Sequence, residues 1–317
     1  MKPLVTIIVP VRNEEKTIEQ CLSSLEALNY PNYEIIVVND GSTDSTEQIL
    51  KQFETITVLH TEGVGPSMAR NLAIEKATGE YLAFTDGDCL IDKEWLNQLL
   101  AYFTDNNVMG VGGDQLNPED ETSFGRDVHE FLKLIAFSTN YLKTEKEVMN
   151  IRHNPTCNMM YRSVAFKEIG NFKKDLWPCE DLEFDCRLIQ SGYKLIFNPK
   201  AIVCHYRPKN LKKFGQMHFR YGRAHAKLVL KYGFMEKIHY VPPVLLFLLA
   251  LEIFLLLYNL PVAVITVCCF MILSLFYFFL KAKSLLKAFK YCGMFFTTII
   301  FWTMGFIRGL ADRNIWQ

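Results

Sequence analysis

Glu80-Tyr81-Leu82-Ala83-Phe84-Thr85-Asp86-Gly87-Asp88-Cys89 joins an apolar run to two carboxylates separated by one glycine. Tyr81 to Phe84 has the composition of a buried strand. In an open α/β sheet, ligands bind beyond the carboxyl ends of strands, near the point where strand order reverses. Two unpaired carboxylates repel each other there, and a divalent cation held through oxygens relieves the repulsion. One expectation is therefore a metal-assisted phosphate site, with Gly87 turning the backbone and admitting a ligand. The competing expectation is a solvated Asp-Gly turn that closes a strand, and the motif alone favours it.

The flanking sequence shifts that balance. Leu4 to Pro10 is a β-branched run with Pro10 expected to close it. Glu14 to Leu28 carries Ile18, Cys21, Leu22, Leu25 and Leu28 at helical spacing. Tyr33 to Val38 reads as a second strand, followed by the polar turn Asn39 to Ser45. Thr55 to Leu59, Tyr81 to Phe84 and Val108 to Val111 read as further strands, with helices over Ser67–Lys76 and Glu94–Phe103 between them. Alternation of this kind predicts an α/β domain with a mainly parallel sheet. Charged groups then fall at three strand ends on one edge: Arg12 and Glu14, Asp40, and Asp86 with Asp88. The P-loop and the Rossmann glycines are both missing, so a nucleotide would be held without them.

The 317 residues carry zero formal net charge, which argues against a general nucleic-acid binder. Nine cysteines without CxxC spacing suggest a reducing compartment. The N-terminus does not read as a secretory signal, because Arg12 to Glu15 interrupts the apolar stretch. Ser123 to Tyr141 is compatible with one long helix or two, with Phe131, Leu132, Leu134, Ile135 and Phe137 inward. Asn154 and Asn158 are compatible with an acceptor site and, more simply, with turns. Glu180-Asp181 opens a helix that runs to Gln190, with a strand from Tyr193 to Phe197 beyond it. Its acids suit either helix capping or a general base.

Beyond residue 206 the composition changes. Residues 207–239 form a basic, amphipathic stretch suited to an anionic membrane surface. Residues 240–317 hold two to three candidate membrane helices, at about 241–258, 260–280 and 291–307, the last short enough to be re-entrant or interfacial. Lys281, Lys283, Lys287 and Lys290 follow the second, so the positive-inside rule places them and the basic stretch in the cytoplasm. A multi-pass membrane protein with its domain 1–206 on the cytoplasmic side is the expectation. Glu252, inside the first span, reads as structural glue.

Over residues 4 to 206 the chain resembles the family 2 glycosyltransferases. The match rests on Ile8 to Glu15, Val37 to Asp44, Ala69-Arg70-Asn71 with Gly79-Glu80, Asp86-Gly87-Asp88, and Glu180-Asp181 with Arg187. The resemblance implies a GT-A fold and an inverting, metal-dependent transferase that uses Mg²⁺ or Mn²⁺. It places Pro10 and Glu14 along the nucleoside, Asp40 on the base and Arg70 near the nucleotide. Asp86 would serve the ribose and metal, and Asp88 the metal. Asp181 would be the base, with Glu180 beside it. His205 matches a histidine near the diphosphate and metal, and also suits the end of a strand. The implied partners are a nucleotide-sugar donor (a UDP-sugar by expectation), a lipid-linked or saccharide acceptor, and membrane lipid, with no nucleic acid. Gln216 to Tyr221 departs from the QxxRW element of processive synthases, which favours a non-processive enzyme of surface-polysaccharide or glycolipid assembly over a processive synthase. A catalytically silent nucleotide-sugar-binding membrane protein is the alternative from another class, and the intact Asp86, Asp88 and Asp181 count against it.

Overall fold

The computed structural model describes residues 2–135, 147–234 and 237–312. Two compact units emerge, one from 1–121 with 136–207 and one from 122–135 with 208–317. The first unit opens with β1 (Val5–Val11), α1 (Ile18–Glu26), β2 (Tyr33–Asp40), α2 (Thr46–Leu50) and β3 (Ile56–Thr61). It continues with α3 (Pro66–Lys76), β4 (Tyr81–Phe84), β5 (Cys89–Ile91), α4 (Trp95–Leu100) and β6 (Val108–Leu116). The helix α5 (Ser123–Leu134) belongs to the second unit. After it come β7 (Met149–Ile151), β8 (Met159–Arg162), α6 (Ser163–Ile169), α7 (Glu180–Gln190) and β9 (Lys194–His205).

The sheet runs β3-β2-β1-β4-β8-β6-β9-β5, with β7 on β9. It is mainly parallel but mixed. Strands β3, β2, β1 and β4 are parallel, and β8 is inserted antiparallel between β4 and β6. Alternate residues of β1 enter two cores. Val5, Ile7, Val9 and Val11 pack with α1 and Trp95, while Ile8 packs with Phe84 and Phe184 on the other face. Burial on both faces explains why the strand is apolar throughout instead of alternating. In the second core the rings of Phe166 and Phe184 stack at 4.6 Å, with Tyr161 edge-on to both.

Several sequence expectations change here. Pro10 lies inside β1, opposite Val38, and not at its end. Pairing with β4 stops at Ile8, so this part of β1 has a neighbour on one side only, where a residue without an N–H is tolerated. The last strand extends beyond Phe197 to His205, and β5, β7 and β8 are additional strands. The expected boundary at 206 gives way to an interleaved one. The reason is Phe131, whose ring meets Phe214, Phe278 and Tyr291 of the second unit. The continuation to Phe137 and Tyr141 lies outside the described residues.

The second unit contains α5, α8 (Leu211–Tyr232), α9 (Val241–Tyr258), α10 (Leu260–Ala282) and α11 (Leu285–Leu310). The last three are long and apolar enough to cross a membrane, at 18, 23 and 26 residues. The third is longer than the expected 291–307. Asn259 caps α10 through its side chain, which makes the hairpin between α9 and α10 tight. Thr266 donates to Glu252 across that hairpin at 2.9 Å, which gives the carboxylate of this apolar helix a partner. Helix α8 is not a lone surface helix, since one of its faces is buried through Phe214, Gly215, His218 and Gly222.

Candidate active site

The strands β1, β2 and β4 point the same way, so their carboxyl ends share one edge of the sheet. Strand β1 stands between β2 and β4, and strand order reverses there. Glu14 follows β1, Asp40 ends β2, and Asp86 and Asp88 follow β4.

The loops after β1 and β2 are fastened to one another. Asn13, at φ 58°, donates its N–H to Ser42 Oγ at 3.0 Å, and its side-chain oxygen accepts from Thr43 N at 2.7 Å. Glu14 N donates to Thr46 Oγ1 at 2.9 Å. Glu15 N donates to Asp44 at 3.2 Å, and Ser45 N donates to Glu15 at 3.1 Å. Asp40 fastens a third loop. Its Oδ1 accepts from Thr61 Oγ1 and Val64 N, and its Oδ2 from Gly65 N, at 2.6 to 2.8 Å. Burial pushes its carboxyl up, but these donors and Arg12 outweigh it and hold it below the usual range.

Gly87 has a different role from the one expected. A Cβ there would stand 2.8 Å from Val11 Cγ1, so the glycine lets the Asp86–Asp88 turn pack on the end of β1. The two carboxylates around it have separate partners. Asp86 Oδ1 accepts from Arg70 Nη2 at 2.7 Å, while Arg70 Nη1 donates to Glu180 Oε1 at 2.6 Å. One buried guanidinium thus links the carboxylate after β4 to the first residue of α7. Glu180 Oε2 and Arg70 Nε are buried with no protein partner, leaving an acceptor and a donor for a ligand. Burial, opposed by Arg70, pushes Glu180 up to about 7.

Asp181, 8 % exposed, follows Glu180 in the first turn of α7. Its Oδ2 accepts from Thr156 N at 3.2 Å and its Oδ1 from Leu182 N at 2.8 Å. Behind it, one turn along α7, Asp185 is fully buried and bound by Tyr161 Oη at 2.7 Å, His153 Nδ1 at 2.8 Å and Asn154 N at 3.2 Å. The same carboxylate therefore braces the 153–156 segment that holds Asp181.

Asp88 lies 3.3 Å from His205 Nε2, with 32 % and 22 % of their side chains exposed. The contact follows from the antiparallel register of β5 on β9, which sets His205 opposite Cys89. Burial alone would lower the imidazole, but Asp88 overrides it and raises His205 to about 9. Burial, then the charge of Asp88, raises Glu14 to about 7. Asp88 Oδ1, the Cys89 thiol and a His205 nitrogen lie within 4.8 Å of one another. Cys89 is sealed in the core and its thiol is pushed well up by burial, so the carboxylate and the imidazole are the usable ligands. An oxygen and an imidazole nitrogen beside further carboxylates suit a cation such as Mn²⁺.

Two residues of this site were not singled out in the sequence. Gln115, 1 % exposed, lies with its Oε1 3.4 Å from His205 Nδ1 and accepts from Arg207 Nη2 at 3.0 Å. In the sequence Arg207 stands out only as the start of the basic stretch, although its i, i+2 spacing from His205 in extended chain is a usable signal. Asn154 and Asn158, by contrast, are fully buried and structural. Asn158 binds Asp114 O, Ala201 O and Trp95 Nε1, and Asn154 binds Asn158 O.

Residues 6–170 match the model of the family described as Glycosyl transferase family 2. Glycosyltransferase AglE of Haloferax volcanii is 31% identical over 231 residues, which is 70% of this chain and 72% of that protein. A Methanococcus voltae protein is 26% identical over 261 residues, covering 77% of this chain and 79% of its own. It is named dolichyl N-acetyl-alpha-D-glucosaminyl phosphate 3-beta-D-2,3-diacetamido-2,3-dideoxy-beta-D-glucuronosyltransferase. The fold is similar to that of mannosyltransferase PcManGT from Pyrobaculum calidifontis, solved with GDP-Man and Mn²⁺. The TM-score is 0.71 over 99% of this chain and 89% of that one, at 18% identity. With its GT-A-like sheet, its acid-lined strand edge and a family match over half its length, this chain belongs to glycosyl transferase family 2.

Proposed function

We propose that this glycosyltransferase moves a sugar, with inversion, from a nucleotide-sugar donor to a hydroxyl of a lipid-linked or saccharide acceptor at the cytoplasmic membrane face. The observation that carries the reading is the Asp86–Arg70–Glu180 bridge, which ties the donor-side carboxylate to the helix that bears Asp181. Pro10, Glu14 and Asp40 flank the nucleoside, Asp40 by holding the Thr61–Gly65 loop against it. Asp88 and His205, with Asp86 alongside, would hold a divalent cation. Such a cation, when bound, neutralises charge on the leaving diphosphate.

Asp181 takes the proton from the acceptor hydroxyl. The hydroxyl oxygen then bonds to the anomeric carbon as the bond from that carbon to the diphosphate oxygen breaks. The electron pair leaves with the nucleoside diphosphate, and attack from the opposite face inverts the centre. No protein nucleophile is required. The Thr156 N–H, braced through Asp185, keeps Asp181 aimed. The lipid-linked acceptor is supported by the dolichyl phosphate in the name of the Methanococcus voltae relative and by three helices apolar enough to cross a membrane. A nucleotide-linked donor is supported by the GDP-Man and Mn²⁺ bound to the similarly folded mannosyltransferase.

The test is a donor screen. Membranes containing the chain are incubated with UDP-, GDP- and other nucleotide sugars, with Mn²⁺, Mg²⁺ or chelator. Transfer from one donor that chelator abolishes and Asp181→Asn removes is the expected result. Full transfer by Asp181→Asn would overturn the assignment of the base.

A further inference from the structure

Two neighbouring residues of α3 hold the two ends of one loop. Asn71 takes the first end: its Nδ2 donates to Phe172 O at 2.8 Å, and its Oδ1 accepts from Phe172 N at 3.1 Å. Arg70 takes the other end by donating to Glu180 Oε1 at 2.6 Å. The chain from 172 to 180 is therefore a closed loop, rooted on the residues that make the bridge to Asp86. Its stem is fastened again by Arg187. That guanidinium donates to the carbonyls of Ile169, Gly170 and Asn171, and both oxygens of Glu183 hold it in place. Phe172 and Leu176 are buried and pin the loop from within. Cys179 N donates to Leu176 O at 2.7 Å, so Trp177 and Pro178 form the tip of a turn that closes on the N-cap of α7. Glu180 and Asp181 are the next two residues.

This frame leaves a particular set of side chains outside. Lys173, Lys174, Asp175 and Trp177 are exposed, and Asp175 turns the chain between the lysines and the tryptophan at φ 68°. Trp177 is 42 % exposed, and it is the only aromatic ring among the large exposed hydrophobics in the described part of the first unit. An indole left in water contributes little to folding. Its flat face suits the C–H face of a pyranose, while its N–H remains able to meet a hydroxyl. Lysines take phosphate or carboxylate as mobile point charges. The order along the loop matters. Trp177 stands on the limb that runs into Asp181, and the lysines stand on the limb that leaves Asn71. A sugar ring is thereby favoured next to Asp181, and an anion is favoured on the limb away from the Glu180 and Asp181 carboxylates.

We propose that the 172–180 loop is a subsite for an anionic acceptor sugar. Trp177 stacks on the pyranose, and Lys173 with Lys174 takes an attached phosphate or carboxylate. That this sugar is the acceptor rests on the transferase reading.

The test uses full-length protein in detergent, labelled with 5-fluorotryptophan and held with Mn²⁺ and saturating UDP or GDP. The residue-177 fluorine resonance is identified by its loss in Trp177→Phe. The probes are glucose 1-phosphate, glucuronate and glucose, their galactose counterparts, and inorganic phosphate. The residue-177 resonance should move with an anionic sugar while the resonances of the buried Trp95 and Trp302 stay still. A response to the sugar phosphate alone identifies a phosphate, and a response to the uronate alone identifies a carboxylate. The anionic sugar should half-saturate at a concentration about tenfold below that of the neutral sugar. Lys173→Gln with Lys174→Gln should abolish that difference at an unchanged thermal midpoint, since both side chains are exposed. A residue-177 resonance unmoved by every probe would overturn the proposal. Equal response to neutral and anionic sugars, or an unchanged difference in the double lysine variant, would overturn the anion subsite. Inorganic phosphate acting as well as the sugar phosphate would overturn the stacked ring. Transfer in the donor screen beside an unmoved resonance would overturn the subsite and leave the transferase reading intact. A moving resonance without transfer from any donor would do the reverse.

Discussion

Replacing Arg70 by lysine keeps the charge and removes the geometry. The guanidinium reaches Asp86 with one terminal nitrogen, at 2.7 Å, and Glu180 with the other, at 2.6 Å. An ammonium is a single point and cannot occupy both positions. One charge-assisted hydrogen bond is therefore lost, worth about 1.5–3 kcal/mol. At about 1.4 kcal/mol per factor of ten, kcat/KM should fall roughly 10- to 150-fold. Arg70→Ala goes further, because it removes the shared donor of Asp86 and Glu180, and it should lower both kcat/KM and the thermal midpoint more than Arg70→Lys does. The assay is the initial rate of nucleoside diphosphate release by purified full-length protein, with thermal unfolding monitored in parallel. If Arg70→Lys kept kcat/KM within about twofold of the parent at unchanged Tm, the bridge would be incidental and the reasoning wrong.

Asp181→Asn should lower turnover by about 10²- to 10⁴-fold while donor affinity, measured by calorimetry, stays unchanged, as expected for a general base. Asp88→Ala or His205→Ala should weaken Mn²⁺ binding in an electron paramagnetic resonance titration, and equal affinity would remove that residue from the metal site. Burial raises the folded Glu180 to about 7 from the ordinary 4.5, so the native state holds its proton longer than the unfolded chain does. Its contribution to stability is therefore complete below pH 4.5 and lost as pH rises towards 7. The thermal midpoint of Glu180→Gln should depend less on pH across that window. Gly222→Val should lower the thermal midpoint through the second unit, because its Cβ alone would stand 2.0 Å from Trp302 O.

The parallel half of the first unit was legible because its signals are local. Apolar runs such as Tyr33–Val38 and Tyr81–Phe84 end in acids, and their spacing requires crossovers. The convergence of Glu14, Asp40, Asp86 and Asp88 followed from strand direction alone. What escaped was set by distant partners. The short β5 and β7 exist because β9 is there to pair with them, and β8 is antiparallel because it returns between β4 and β6. His205 reaches Asp88 only through the β5–β9 register, which no local pattern encodes, so the family resemblance had to supply it. The assignment of α5 rests on Phe131, whose ring partners begin more than eighty residues away. The need for glycine at position 87 is likewise non-local, because the obstacle to a side chain there is Val11.

The mutual fastening of Asn13–Glu15 with Ser42–Thr46 has a thermodynamic consequence. Ordering a backbone residue costs about 1–2 kcal/mol. In these loops that entropy is already lost when the chain folds, before any donor arrives. Binding should therefore show a small conformational entropy penalty and little change in loop exchange rates. Asn13→Ala would return part of the penalty to the binding step, so affinity would fall although Asn13 need not touch the donor.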